Sequence, residues 1–460
     1  MPGSTEALYR THDNHRWFFP FLLSGVLFVA YAAWMTGFTF TFSEVELAPN
    51  YQMLANAFAK GRLDIEETPQ DDASTFRGKR YLYFGPVPAC LRLPAAFFGG
   101  SIPTGFMVVL FSAGLGAAYW EILRLLSPRL AGLHGQSHER VFGITFVLSG
   151  YSLFLATLPY IHHEAIAAAS FFLMVAVGVF LRALLDDFRI SIRDAAVCGA
   201  AVALSFGSRF SYVFSGIFLV GSLLVGMRGK ARSPWPAIVL VGIPLFGLAL
   251  LLAYNYARFG AVGEFGMTHA DSIVYEDYLR QGRFWRYDNL PYNVWDYFFR
   301  MPSFEAKFPF VKTSLYILKV ESVSNVRYFL IHVNELVGSV FFMMPILLGM
   351  FIALRVWLTG EGDVRARCVR SLAVLFFLQV LPLCLSMAST ARYCCDFLPV
   401  MMIVSFVGAT AAGTKCWGVR VTAFAGMLSL LLSWTIAING IVEYAEFLGY
   451  RSPLLRFLSH

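Results

Sequence analysis

The sequence predicts an all-α polytopic membrane protein of about eleven transmembrane helices, and three observations carry that expectation. The chain is 57% hydrophobic and 14% charged, where a soluble domain carries about 25% charged residues. Its mean hydropathy is +0.61, and its apolar residues gather into runs approaching the roughly 20 needed to span a bilayer. Lys and Arg cluster in the short connections on one side of those runs.

The first run, Trp17 to Gly37, is too long for a signal peptide's apolar core and lacks a small-residue cleavage site, so it reads as a retained helix. Ten further runs follow at about 103–126, 141–158, 165–181, 195–208, 210–227, 235–256, 335–354, 371–388, 397–413 and 420–441. The stretch 81–100 is also apolar, but Pro86, Pro88, Arg92 and Pro94 interrupt it. Proline removes a helix donor, and an unpaired backbone group in hydrocarbon is costly. This stretch is therefore expected at the interface, not across the bilayer.

The positive-inside rule supports that choice. With 81–100 left out and the N-terminus cytoplasmic, Arg124, Arg129 and Arg140 share an inner loop, as do Arg182, Arg189 and Arg193. Arg228, Lys230 and Arg232 fall inside as well, followed by Arg355, Arg365, Arg367 and Arg370, then Lys415 and Arg420. The short outer turns keep only Arg209 and Arg392. Were 81–100 to span, all those basic loops would face outward. The expected layout is one transmembrane domain over 1–460, with the C-terminus outside and long outer segments at 38–102 and 257–334.

The formal charge of +7 is accounted for by residues flanking membrane helices and calls for no nucleic acid. Seven cysteines lie mostly in or beside apolar runs without metal-ligand spacing. The adjacent pair Cys394–Cys395 reads as two buried thiols. No internal repeat or low-complexity run stands out.

The first outer segment is the richest in chemistry. Asn50 can cap a helix and Gly61 can end it. Between them Tyr51, Leu54, Ala55 and Phe58 recur at helical spacing. This predicts a juxtamembrane helix lying on the bilayer surface, holding Glu44 and Glu46 near the membrane plane. The next outer turn places His162, His163 and Glu164 at a helix mouth, where ionisable residues are candidates for function. Neighbouring residues on a helix point to different faces, so the three make a poor zinc triad. Lys79, Arg80, Arg209, Arg258 and Arg392 face the same side, and a guanidinium binds phosphate bidentately. Each also suits a snorkelling role. Trp285, Tyr287, Trp295 and Tyr297 in the second long segment can stack on a sugar or rest at the interface.

These features together resemble the GT-C superfamily, integral-membrane glycosyltransferases that use polyprenyl-phosphate-linked sugars, here a poorly characterised bacterial branch. The likeness rests on Glu46, Asn50-Tyr51, LANAFAKGRLD, RYLYFGPVPACLRLP and Glu164, with YNYARFGAVGEFG and ARYCCDFLP further on. Aminoarabinose and protein mannosyltransferase members place an Asp four residues before the tyrosine. Here that position is Leu47, with Glu46 one residue back, and Gly85 replaces a lysine found before the paired prolines.

The resemblance implies inverting transfer to a hydroxyl of a glycan, lipid or protein, on the outer face of a bacterial plasma membrane. Glu46 or Glu44 would be the base, assisted by Glu164. Tyr51, Lys79, Arg80, His162, His163, Arg209, Arg258 and Arg392 would bind substrate. It names no cofactor and leaves a divalent metal open. A lipid or sugar transporter and a non-catalytic subunit of the same fold are the alternatives.

Overall fold

A computed structural model of the protein describes residues 18–47, 49–65, 73–130, 135–230, 233–271, 285–304, 306, 311–312, 317–320, 328–331, 339–360, 363–386, 388–412 and 416–448. Helix α1 (Phe18–Thr36) leads into a turn in which Gly37, Phe38 and Phe40 all take positive φ. For the two phenylalanines this is a strained conformation, and both rings are exposed there.

The first long loop then builds α2 (Asn50–Ala59), strands β1 (Ser74–Phe76) and β2 (Lys79–Tyr81), and two short helices, α3 (Val87–Cys90) and α4 (Leu93–Phe97). Arg77 and Gly78 join the strands with φ of 51° and 73°, the left-handed pair a two-residue hairpin requires. Pro88 and Pro94 sit in the first turns of α3 and α4, where a missing N–H costs nothing. The interrupted stretch 81–100 accordingly holds no helix longer than five residues.

The bundle comprises α5 (Thr104–Leu130), α6 (Gly135–Val147), α7 (Gly150–Leu155), α8 (Ile161–Leu185), α9 (Ile192–Ser208), α10 (Val213–Met227) and α11 (Trp235–Phe259). The second long loop contains α12 (Leu290–Val294) and two small antiparallel pairs, β3 (Ser303–Phe304) with β4 (Val311–Lys312) and β5 (Ile317–Val320) with β6 (Tyr328–Ile331). After it come α13 (Val340–Met343), α14 (Gly349–Thr359), α15 (Val364–Leu385), α16 (Ala391–Ala412) and α17 (Cys416–Leu448).

Eight helices among the described residues are long and apolar enough to cross a membrane, and the chain is an integral membrane protein. The expected eleven is not confirmed. Run 141–158 is split between α6 and α7, 195–208 lies in the 17-residue α9, and 335–354 is divided around Met344.

Each break frees backbone groups that hydrocarbon cannot satisfy, and distant side chains supply the bonds. Tyr31 donates to the Val147 carbonyl at 2.7 Å, and Trp434 to that of Leu148 at 2.7 Å. At the other break, Ser405 donates to the Ile346 carbonyl at 2.6 Å, and Ser429 accepts from the Ile346 N–H at 2.9 Å.

Helix α16 is central, with 94% of its span buried, and α11 is peripheral, with 11%. Helices α14 and α16 approach so closely that a Cβ on Gly408 would lie 2.0 Å from the Gly349 carbonyl oxygen. Small residues permit such contacts in membranes.

One expectation changes. The apolar stripe of α2 buries Tyr51, Leu54 and Ala55 against Leu82, Ala89, Ile161 and Ala165, so α2 packs on protein and not on the bilayer. The stripe itself is where the periodicity puts it. Its partners are the folded remainder of the loop and the start of α8, which hydropathy does not reveal.

Candidate active site

The site begins where α1 hands over to a 3₁₀ turn at Phe42–Val45. Val45 is buried and Glu44, on the same turn, is exposed. The chain then extends, and Glu46 folds back onto the first residue of α5. Its Oε2 accepts from the Thr104 N–H at 2.9 Å, a favourable place for a carboxylate at a helix N-terminus. Its Oε1 is buried with no hydrogen-bond partner among the described residues. Burial pushes the Glu46 carboxyl above the usual carboxylate range, while Thr104 and the charge of Arg92 pull it part of the way back.

Glu164 stands in the first turn of α8, fully buried, and Arg92 is fully buried opposite it. The guanidinium meets the carboxylate through both nitrogens, Nη1 to Oε1 and Nη2 to Oε2, the latter at 2.8 Å. Arg92 also donates to the carbonyls of Pro88 at 3.1 Å and Ile102 at 3.2 Å. The Tyr51 ring lies 5.8 Å from this guanidinium. Tyr51's hydroxyl is buried without a hydrogen-bond partner among the described residues. Burial and the nearby Glu164 push that phenol well above its ordinary value, against the charges of Arg92 and Arg209.

A second cluster surrounds Asp396 in α16. Tyr212 donates to its Oδ1 at 2.6 Å, and Arg209 Nη2 lies 3.0 Å from its Oδ2. Arg209 and Arg392 both sit over the Tyr393 ring, at 4.9 and 5.6 Å. Two guanidiniums on one ring suit an anion.

The other sequence candidates lie elsewhere. Arg258 donates to the Leu82 carbonyl and, at 2.7 Å, to Asn255, with its guanidinium stacked 3.8 Å over Tyr254. It clasps α11 to the strand side of the first loop. Lys79 and Arg80 stand on β2, 3.8 Å from Asp64 and 3.4 Å from Asp271. Asp64 is held below the usual range by its bond from Arg62.

His162 meets Phe84 edge-on and Tyr160 at a tilt, and His163 packs on Phe154 with Nδ1 3.2 Å from the Leu155 carbonyl oxygen. Of the four loop aromatics, Trp285, Tyr287 and Trp295 are exposed and Tyr297 is buried, so they do not share one platform. A Cβ at Gly85 would lie 2.1 Å from the Gly207 carbonyl oxygen, which leaves no room for any side chain there.

Arg92 and Asp396 escaped the sequence reading as site residues. Arg92 counted only as an interruption of an apolar stretch. A charge inside LRLP or CCDFLP is nonetheless a signal, because ionisable residues at membrane depth are rarely idle.

Fold and site define a polytopic helical membrane protein with a carboxylate, a buried ion pair and an arginine cluster at its loop-bearing end. No protein-family model matches the sequence, and no curated protein matches it. Among solved structures the chain is similar to ArnT from Cupriavidus metallidurans bound to undecaprenyl phosphate, with a TM-score of 0.46 and 11% identity over 93% of this chain and 77% of that one. It is similar also to the oligosaccharyltransferase AglB from Archaeoglobus fulgidus in complex with an inhibitory peptide and a dolichol-phosphate. That match has a TM-score of 0.45 and 15% identity, over 93% of this chain. The chain spans 56% of that protein's length. The S. cerevisiae O-mannosyltransferase complex Pmt1–Pmt2 follows, with a TM-score of 0.33 and 14% identity over 59% of this chain and 36% of that one.

Proposed function

We propose that the protein is a membrane glycosyltransferase that moves a sugar from a polyprenyl-phosphate donor to a hydroxyl acceptor on the extracytoplasmic side of a bacterial plasma membrane. One observation carries this reading. The Tyr51 ring lies 5.8 Å from the Arg92 guanidinium that grips Glu164, and both the Tyr51 hydroxyl and Oε1 of Glu46 are buried without a hydrogen-bond partner among the described residues, so unpaired polar atoms gather beside a buried ion pair at the loop-bearing end. The sidedness of the basic loops supports the orientation.

In the proposed reaction the acceptor hydroxyl attacks the anomeric carbon and gives its proton to Glu46. The bond from that carbon to the phosphate oxygen breaks, and the polyprenyl phosphate leaves with the electron pair. The orphaned Oε1 of Glu46 is open to the proton, and burial moves the carboxyl up, in the direction that makes a carboxylate a better base. Arg209 and Arg392 would neutralise the departing phosphate. A single displacement inverts the anomeric centre.

The test is transfer by protein reconstituted in liposomes with a polyprenyl-phosphate sugar and a hydroxyl acceptor. Glu46→Gln should lose on the order of 10²–10⁴-fold in rate while still binding donor, and Glu44→Gln far less. Nuclear magnetic resonance of the product should show the inverted anomer. Full transfer by Glu46→Gln would remove Glu46 as the base.

A further inference from the structure

We infer that the Arg92–Glu164 pair takes the place of a divalent metal in this site, with Arg92 a positioning residue for Glu46; the inference rests on the reading of Glu46 as the base. Mg²⁺ or a similar ion needs several oxygen ligands at close range. Both oxygens of Glu164 are turned toward the cationic Arg92 fork, and Oε2 of Glu46 is engaged by the Thr104 N–H. Of these two carboxylates, only Oε1 of Glu46 is left open. Among the described residues no group of three acids, histidines or cysteines gathers to make up the set. An incoming dication would also meet the Arg92 charge, which is screened little in a buried site. The residues do not fit a metal.

They do fit a fixed guanidinium. Arg92 joins four pieces of the fold: α8 through Glu164, α3 through the Pro88 carbonyl, its own helix α4, and the turn before α5 through the Ile102 carbonyl. The Ile102 N–H is held in turn by Gln52 Oε1 at 2.9 Å. Two residues on, the Thr104 N–H carries Glu46. The carboxylate is thus registered on α8 by a continuous run of bonds. Only arginine offers enough donors in one plane to do this. Arg92 and Glu164 both couple to the charge of Glu46, so the pair also helps set the charge around the base.

The experiment combines three measurements on the purified full chain. Calorimetric titration with Mn²⁺ needs no turnover and should show no saturable binding. Transfer should be unchanged by a chelator. Removing one charge of a buried pair strands the other and can unfold the protein, so Glu164→Gln is accompanied by Arg92→Lys, which keeps the charge, and by the double Arg92→Met/Glu164→Met, which removes both, each checked by thermal unfolding.

Arg92→Lys should keep donor binding and lose roughly 10²-fold in transfer, the scale expected of a misplaced catalytic group. The acid limb of the pH–rate profile should rise in the double variant, where losing the pull of Arg92 outweighs losing the push of Glu164. It should fall in Glu164→Gln, which loses a negative neighbour. Opposite movements are not what a merely structural role produces.

Stoichiometric Mn²⁺ binding that Glu164→Gln abolishes, or transfer lost to a chelator and restored by metal, would overturn the inference. So would folded variants with wild-type rates and an unmoved limb while Glu46→Gln is inactive. Normal transfer by Glu46→Gln would instead sink the underlying assignment of the base.

Discussion

Glu44 and Glu46 are two residues apart and occupy different environments for a local reason. The 3₁₀ turn buries Val45 and turns Glu44 to the outside, and the extended residue that follows brings Glu46 to the start of α5. Burial favours the neutral acid, so the native Glu46 holds its proton to higher pH than the unfolded chain does. The sign follows. Between the unfolded and native pKa values the native state binds more protons, and its stability falls as pH rises. Above both values the full cost of a buried carboxylate is present. Thermal unfolding across a pH series should therefore show Glu46→Gln gaining on the wild type as pH climbs through that window, with no further gain beyond it. A difference that shrinks with rising pH would mean that Thr104 and Arg92 outweigh burial.

The helices depend on contacts that their own sequences do not announce. The apolar stripe of α2 is visible in the spacing of Tyr51, Leu54 and Ala55, yet the surface it covers comes from residues 82, 89, 161 and 165. The interruption between α6 and α7 has no proline, and its carbonyls are satisfied by Tyr31 and Trp434, more than a hundred residues away on either side. Hydropathy reads such a segment as one span because the rescuing side chains belong to other helices. Close backbone contact behaves the same way. At Gly408 any Cβ would overlap the Gly349 carbonyl, so Gly408→Ala must push α14 and α16 apart. Overpacking of this kind costs about 1–3 kcal/mol. Unfolding in detergent should register that loss, and an unchanged midpoint would show that the pair of helices can slide.

Taken as a whole, the chain gathers its candidate site at the end that carries the long loops. The hairpin of β1 and β2 ties the first loop to the second, through Thr75 to Asp271 at 2.7 Å and Ser74 to the Gly266 carbonyl at 2.7 Å. The second loop is fastened in turn to the end of α15, where Asn293 donates to the Ser386 carbonyl at 2.7 Å and Ser389 to Asp296 at 2.6 Å. That turn leads directly into Arg392. From the sidedness of the basic loops this end is expected on the extracytoplasmic side. A cysteine at Ser101, an exposed position beside α4, should react with a membrane-impermeant thiol reagent added to intact cells. Cys90 is the exposed thiol among the described cysteines, so the measurement belongs in a Cys90→Ser background. Labelling only after permeabilisation would reverse the topology and place Glu164 on the cytoplasmic side.

Hydropathy, proline placement and the sidedness of Arg and Lys are local properties, and they were enough to read an all-α membrane protein, a loop that does not span, and a carboxylate beyond the first helix. The role of Arg92 was out of their reach. In LRLP it is an isolated charge, and its meaning comes from Glu164, seventy-two residues away, which folding brings against it. The same holds for the division of labour among the arginines. Arg258 is committed to the Leu82 carbonyl and Arg209 faces Asp396, although each ends a helix in a similar apolar setting. A charge in hydrocarbon must find a partner, and which partner it finds depends on which helices pack together.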